Sequence, residues 1–272
     1  RRQRQMCIRD RSLKSERLLH IETSLKPVGS DRAQPASFAN IGITTYRGRE
    51  GKTISMVDTQ ASMANRLEAL CWDQNASFDG KEKAGDLCEP LRGLPYIRVT
   101  DKKGELKLTS LHGYHRIATD YILEAKSGGK TIAQLLLEKA KIKSPNGEAR
   151  RYLQPGDMAR VYEAVFDLDP LSLVHGFWIA QSEHVAGLIR VSRALCSEIT
   201  AVIVQEVPVP GTKFDTFNPE GKEPKEATDQ GEASEDRKRK GKGTVPHEHT
   251  EIVPEETTAT FILDLEQIRN YG

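Results

Sequence analysis

Two histidines spaced three residues apart form the cluster best suited to acid–base chemistry. His112 and His115 are followed directly by Arg116. On a helix this spacing places both imidazoles on one face, and histidine is the side chain that changes charge near neutral pH. A metal-independent ribonuclease needs such a pair as general base and general acid. Because no HExxH or GxSxG motif accompanies the pair, RNA cleavage at these histidines is kept as an alternative hypothesis.

A second group of polar residues falls within QASMANRLEALCWDQ, residues 60–74, where a helix is predicted from about residue 59 to residue 73. Apolar residues recur at i, i+4, i+7 and i+8 and predict a buried stripe made of Met63, Leu67, Leu70 and Cys71. The rim of that stripe carries Ser62, Asn65 and Arg66, with Glu68 within reach of Arg66. Arginine presents a planar fork to phosphate, and asparagine offers both a donor and an acceptor. The rim therefore predicts either a solvated, salt-bridged flank or a phosphate-binding edge.

The elements that must position these residues alternate between strands and helices. A strand over residues 18–25 ends at Pro27, and a loop rich in Gly, Pro, Ser and Asn follows it. Residues 41–46 and 52–57 flank the turn RGREG and predict a hairpin. Further helices are predicted over 112–124, 131–141 and 157–168, and further strands over 93–99, 106–111, 171–180, 187–191, 199–207 and 258–265. The pattern predicts an α+β fold with antiparallel strands.

The composition is that of an ordinary globular protein. The chain has 272 residues, of which 37% are hydrophobic and 29% charged, and its formal net charge is +1. It contains no apolar run long enough to span a membrane and no signal-peptide pattern, so we expect a cytoplasmic protein. The four cysteines show no CxxC spacing, which argues against a zinc site. We expect reduced thiols, no metal and no cofactor.

Two charged segments differ from the rest of the chain. Residues 1–12 hold five arginines and one aspartate without a hydrophobic period. We expect them to be a non-native leader that resembles a translated library linker; the alternative is a basic arm that contacts phosphates. Residues 218–258 are rich in Gly, Pro and charge and nearly free of aromatic residues. Such a segment buries too little apolar area to order itself, so we expect a disordered insertion. Residues 13–217 and 259–272 then form the folded domain.

Two further motifs are interpreted as structural. The stretch GGKT at 128–131 resembles the end of a phosphate-binding loop, but Glu124 occupies the position of its first glycine. It is therefore interpreted as a turn before a capped helix. Phe177 and Trp178 lie in an apolar run similar to the base-stacking strand of RNA-recognition sheets. Because aromatic side chains bury large areas, both are interpreted as core residues.

Several separate blocks in order resemble one family. They are LKPVGSDRAQP at 25–35, SMANRLEALCWD at 62–73, GLPYIRV at 93–99, PGDMARVYEAVFDLDPLSLVHG at 155–176 and IRVSRALCSEI at 189–199. Together they are similar to the backbone subunit of type I-U (also called I-G) CRISPR interference complexes, a member of the RAMP superfamily. The resemblance extends from Arg17 to Tyr271 and excludes the charged insertion.

This resemblance implies a ferredoxin-like, RNA-recognition-type palm with insertions. It also implies a non-catalytic subunit of antiviral defence that polymerises along CRISPR guide RNA in a Cascade-like complex. The partners are then the guide RNA, target DNA paired to it, further copies of the chain and the other subunits of the complex. Carried over by position, the expected RNA contacts are Lys26, Arg32, Gln34, Ser62, Asn65, Arg66, Arg190 and Arg193.

The loop after Pro27 and the rim of the first long helix are expected to form one shallow trough. Such a trough would grip the ribose-phosphate strand whatever its base sequence. Two hypotheses compete with this one. The first is an endoribonuclease that processes CRISPR RNA with His112 or His115 as its base, and the second is a scaffold that binds only protein.

Overall fold

The computed structural model describes residues 13, 15–38, 41–142, 153–154, 156–180, 189–213 and 245–271. Within these ranges the chain is a mixed α/β protein with an antiparallel sheet and few helices, which confirms the expected mixture of elements. The chain divides into two compact units. The first comprises Arg1–Thr23, Thr59–Glu198 and Ala259–Gly272, and the second comprises Ser24–Asp58 and Ile199–Thr258.

The described residues contain short strands in most of the chain and two long strands near its end. The strands are β1 (Leu18–Leu25), β2 (Ser37–Phe38), β3 (Gly42–Ile43), β4 (Thr45–Arg47), β5 (Thr53–Asp58), β6 (Trp72–Asp73), β7 (Asp86–Leu87), β8 (Arg98–Thr100), β9 (Leu106–Thr109), β10 (Lys126–Ser127), β11 (Lys130–Thr131), β12 (Phe177–Ile179), β13 (Ile189–Val191), β14 (Leu195–Lys213) and β15 (Val245–Asp264). The helices are α1 (Gln60–Leu70), α2 (Asp120–Leu123), α3 (Ile132–Lys139), α4 (Asp157–Leu168), α5 (Pro170–His175) and α6 (Leu265–Arg269), with 3₁₀ turns at Glu89–Leu91 and Arg116–Ala118.

The largest sheet has the strand order β1-β15-β14-β5-β4. Strands β4 and β5 form the hairpin predicted from the sequence, with Arg47 opposite Thr53. The turn of this hairpin is closed by Arg47, whose Nη1 donates to the Gly51 carbonyl at 2.7 Å. Residues 54–58 of β5 also pair antiparallel with β14. The hairpin is thus attached to a long central strand.

The C-terminal boundary predicted for the charged insertion is wrong. Residues 245–258 belong to β15, in which Ile252 is fully buried. Ala33 and Ile252 exchange two backbone hydrogen bonds of 2.9 and 2.8 Å. The sequence does not predict this strand, because polar residues such as Glu255 and Glu256 interrupt any apolar alternation. Backbone hydrogen bonds to neighbouring strands stabilise it without such a pattern. Residues 218–244 and the predicted leader at 1–12 lie outside the described residues.

Helices α3 and α4 of the first unit form where the sequence predicts them. Thr131 caps α3 in a capping box with Gln134, whose backbone N–H donates to the threonine Oγ1 at 3.1 Å. In α4, which occupies the predicted residues 157–168, Val161 and Val165 are fully buried and form the apolar face of the helix. Asp157 is the first residue of α4, and Gly156 precedes it as the N-cap.

The segment predicted as one strand over residues 171–180 contains helix α5 and strand β12 instead. Pro170 begins α5. The first N–H groups of a helix have no intrahelical acceptor, so a proline at this position costs no intrahelical hydrogen bond. Gly176 ends the helix with φ of 75°. Five of the six residues of α5 are buried, so the sequence shows no polar helical face that would identify it.

Residues 112–124, predicted as one helix, form a 3₁₀ turn followed by the short helix α2. Arg116 adopts φ of 57°, in the left-handed region that interrupts a right-handed helix. The turn and α2 pack into the apolar core of the first unit with α3, α4, α5 and the β12–β13 hairpin. Its fully buried members include Ile117, Ile122, Leu136, Val161, Val165, Ile179 and Ile189.

Candidate nucleic-acid interface

Helix α1 carries three of the residues expected to contact RNA. Its first turn is capped by Thr59, whose Oγ1 accepts from the Ser62 backbone N–H at 3.3 Å. Met63 and Ala64 are 5% and 3% exposed and fix the inner side of the helix. Asn65 and Arg66 are exposed on the outer side, and Ser62 is half-buried. The helix therefore presents an amide and a guanidinium at adjacent positions.

The buried stripe of α1 differs from the predicted one at two positions. Leu70, expected in the stripe, is 74% exposed. Glu68, expected on the rim beside Arg66, is only 8% exposed. An ionised side chain tolerates burial only when it is paired and hydrogen-bonded. Its partner lies far away in the sequence, which is why helical periodicity alone assigned Glu68 to the surface.

Arg116 is that partner. Its Nε lies 2.5 Å from Glu68 Oε1, and its Nη2 donates to Glu68 Oε2 at 2.9 Å. Such a two-pronged arrangement is the strongest geometry of an arginine–carboxylate pair. The third nitrogen, Nη1, donates to the Gly176 carbonyl at 3.0 Å. One guanidinium therefore ties α1 to the residue that precedes β12.

Gly176 is required at this junction. A Cβ added there would lie 2.8 Å from the Val191 carbonyl oxygen and 2.9 Å from the Arg193 backbone nitrogen. The close approach brings the start of β12 against the end of β13. Through Arg116 and Gly176, the first unit thus holds α1 and the β12–β13 hairpin in a fixed arrangement.

A buried polar cluster extends beyond the ion pair. Ser172 Oγ lies 2.5 Å from Asp169 Oδ2 and accepts from the Ile117 N–H at 3.2 Å. Burial raises the pKa of Asp169. His175 is 3% exposed, and burial together with the cations of Arg116 and Arg193 lowers its pKa to about 4. The imidazole is therefore neutral at pH 7.

The β12–β13 hairpin carries the remaining predicted contacts of the first unit. Arg190 is exposed and stands directly opposite Trp178. Trp178, interpreted from the sequence as a core residue, is 57% exposed, whereas Phe177 is 5% exposed as expected. Strand alternation was the signal that distinguishes them, because neighbouring residues of a strand face opposite sides. Arg193 is half-buried. Burial raises the pKa of Glu68, and the cations of Arg116 and Arg193 oppose that rise.

In the second unit, the loop after β1 carries the other three predicted contacts. Lys26, Arg32 and Gln34 are all exposed. Arg32 forms an ion pair with Glu251, with Nη1 and Oε2 2.9 Å apart. The backbone bonds between Ala33 and β15 hold the loop next to this pair. A phosphate at Arg32 would therefore compete with Glu251 for the guanidinium.

The two histidines of the ribonuclease hypothesis do not share the expected helical face. His112 Nδ1 lies 2.8 Å from Thr109 Oγ1, and its ring packs edge-on against Trp72 with 4.8 Å between centroids. Burial lowers the pKa of His112. His115 is exposed, and its backbone N–H donates to Thr119 Oγ1 at 3.2 Å. Both precede the 3₁₀ turn, so their side chains are positioned by a loop.

No group of three or more His, Cys, Asp or Glu side chains suited to a metal ion occurs among the described residues. Within that part of the chain, no helix has the length and apolar character needed to cross a bilayer. Cys71, Cys88 and Cys196 are free thiols, and burial raises the pKa of Cys71 to about 11.

Comparison with known proteins identifies the family. The profile of the family described as CRISPR-associated protein GSU0053 matches residues 19–206, more than half of the 272 residues. A search of curated proteins finds no match. The matched range includes α1, the Glu68–Arg116 pair and the β12–β13 hairpin. The chain therefore belongs to the GSU0053 family of CRISPR-associated proteins, with a role in CRISPR defence.

Proposed function

We propose that this chain is the non-catalytic guide-RNA-binding backbone subunit of a type I-U, or I-G, interference complex, with a ferredoxin-like RAMP palm. Membership of a CRISPR-associated family supports this assignment. The observation that carries it is the outer side of α1, where Asn65 and Arg66 are exposed at adjacent positions. The same helix is anchored by the buried Glu68–Arg116 pair. Anchoring of this kind presents polar groups to a ligand at a small cost in ordering.

The binding mechanism is recognition of the backbone without reading of the bases. Arg66 and Arg190 supply guanidinium groups for phosphate oxygens, and Asn65 supplies a donor and an acceptor for phosphate or ribose. Bases held only through their backbone remain free to pair with target DNA. Sequence specificity then lies in base pairing, and the protein contributes position and shape.

Polymerisation along the guide follows from the same mechanism. A net charge of +1 is small for a chain that binds a long polyanion alone. It is sufficient when each copy covers only a short piece of RNA and neighbouring copies share the strand. Head-to-tail contacts between identical subunits build an open helix of this kind. We therefore expect weak RNA binding by one isolated copy.

The experiment is a salt titration of binding to unrelated single-stranded RNAs. Arg66→Ala is expected to weaken binding to all sequences alike, and to reduce the slope of log K against log salt by about 0.7, the value for one phosphate on a single strand. Arg92→Ala removes another exposed arginine of the first unit and serves as the matched control with an unchanged slope. An unchanged slope for Arg66→Ala would remove Arg66 from the interface.

The ribonuclease remains a second candidate because the contact of His112 Nδ1 with Thr109 Oγ1, at 2.8 Å, orients the imidazole as a general base requires. Incubation of repeat RNA with the protein in EDTA distinguishes the two functions. Discrete cleavage that His115→Ala or His112→Ala abolishes would establish the nuclease. A protein-only scaffold would neither retain RNA during purification nor shift with RNA in size exclusion.

A further inference from the structure

The outer face of the β12–β13 hairpin exposes an aromatic side chain next to a cation. Trp178 is 57% exposed, and the register places it directly opposite the exposed Arg190. The four residues on the inner face are 0–5% exposed; they are Phe177, Ile179, Ile189 and Val191. Because strand residues alternate between faces, the indole cannot turn inward without reversing the whole register. The buried anchors therefore hold Trp178 in the solvent-facing position.

The indole of Trp178 differs in its surroundings from that of Trp72. Trp72 has edge contacts with Tyr96 and His112, at centroid distances of 6.0 and 4.8 Å, and the Arg98 guanidinium lies 5.8 Å from its ring. Within the described ranges, no aromatic ring or cation covers Trp178. More than half of the Trp178 surface is exposed and can be reached by a planar ligand.

We propose that Trp178 and Arg190 form a stacking site for one unpaired nucleobase of single-stranded RNA. The inference rests on the proposed function and adds a base contact to an interface so far made of backbone contacts. Side chains directly opposite across two strands have Cβ atoms about 5 Å apart. A nucleotide carries a planar base and an anion close together, and so matches an indole face with a neighbouring guanidinium. An apolar protein segment would leave the arginine without an anionic partner.

The site is tolerant of base identity, because every base has a π-face. No side-chain amide is needed to read a base edge. The base that stacks is withdrawn from pairing, whereas its neighbours, held by their phosphates, remain available. The hairpin is attached to α1 through Gly176 and Arg116, so base stacking and the phosphate contacts of Asn65 and Arg66 belong to one unit.

Tryptophan fluorescence tests the proposal directly, since the chain has two tryptophans. The full-length protein is titrated at low salt with an unstructured dye-labelled RNA, and anisotropy and tryptophan emission are recorded together. We expect quenching in the wild type. Trp178→Phe is expected to bind with similar affinity but without quenching, because phenylalanine stacks and lacks the indole signal. Trp178→Ala is expected to bind about 5- to 150-fold more weakly, as found for loss of one stacked base.

Two controls separate stacking from folding and from charge. Phe166→Ala removes an aromatic side chain of α4 that is also 57% exposed, and is expected to leave RNA affinity unchanged. An oligonucleotide with abasic positions keeps the phosphates, so it is expected to change anisotropy without quenching. Arg190→Ala is expected to lower the salt slope by about 0.7.

The outcomes distinguish this site from the proposed function. RNA binding without quenching, with Trp178→Ala at wild-type affinity, overturns the stacking site and leaves the RNA-binding subunit intact. A Trp178→Ala protein that changes its assembly state at unchanged RNA affinity assigns the face to protein contacts and also overturns it. Absence of any RNA binding by the wild type overturns both proposals.

Discussion

Replacing Arg116 by methionine removes the cation of a buried ion pair while keeping a side chain of similar length. In the folded protein the guanidinium lies 2.5 and 2.9 Å from the two Glu68 oxygens and donates to the Gly176 carbonyl at 3.0 Å. The Arg116 and Glu68 side chains are only 11% and 9% exposed. Arg116→Met therefore leaves a carboxylate and a carbonyl oxygen inside the first unit without their donors.

The expected cost follows from this burial. Removing one member of a buried pair destabilises a protein by about 3–5 kcal/mol. Burial raises the pKa of Glu68, and Arg116 opposes the rise, so in the variant Glu68 takes up a proton more readily and limits the cost. Residue 116 has a left-handed φ that strains arginine and methionine equally. This strain therefore does not contribute to the difference in stability between the two proteins. We expect a loss of about 3 kcal/mol at pH 7, smaller at lower pH, where Glu68 is protonated.

Urea unfolding followed by tryptophan emission measures this cost. Trp72 and Trp178 both belong to the first unit, so the signal reports the unit that contains the pair. The double variant Glu68→Leu, Arg116→Met removes both charges and is expected to regain part of the loss.

An exposed ion pair provides the matched control for Arg116→Met. Lys139→Met breaks the bond to Asp167, in which the side chains are 42% and 60% exposed, and is expected to cost about 1 kcal/mol or less. The burial of the ion pair would be shown not to matter if the free energy of unfolding of Arg116→Met lies within about 0.5 kcal/mol of the wild-type value.

Two further predictions concern the same junction. The pKa of His175 is lowered to about 4 in the folded protein. Between about pH 6.5 and 4 the unfolded chain therefore binds a proton that the folded chain does not. The free energy of unfolding is expected to fall by about 3 kcal/mol as the pH drops through this window. Urea unfolding at several pH values measures this. The free energy of unfolding of His175→Gln is expected to fall less between about pH 6.5 and 4 than that of the wild type, and an equal fall would count against a buried neutral imidazole. Gly176→Ala places a Cβ 2.8 Å from a carbonyl oxygen and is expected to cost about 2 kcal/mol more than Gly128→Ala, which has a similar φ but open space around it; equal melting temperatures would contradict the steric argument.

Local signals in the sequence were sufficient for the elements that are stabilised by their near neighbours. Helix α3 could be predicted from the Thr131 cap and from the spacing of its apolar residues. Helix α4 could be predicted from the helical spacing of apolar residues such as Val161 and Val165, both of which are buried. The β4–β5 hairpin followed from two β-rich runs around a glycine-containing turn. In each case the deciding contacts lie within one or two turns, or across one short loop. The exposure of Asn65 and Arg66 on α1 was predicted in the same way.

The sequence alone determined these local elements and the family blocks, whereas the partners of its polar residues were decided by tertiary structure. Helical periodicity assigned Glu68 to the surface and Leu70 to the core, and both assignments were wrong. Glu68 is buried because Arg116, 48 residues away, supplies its counter-charge. Likewise Trp178 is exposed because only alternate residues of its hairpin meet the core. A periodic pattern depends on neighbours along the chain, but burial of a charge depends on a distant group that only the fold brings to it.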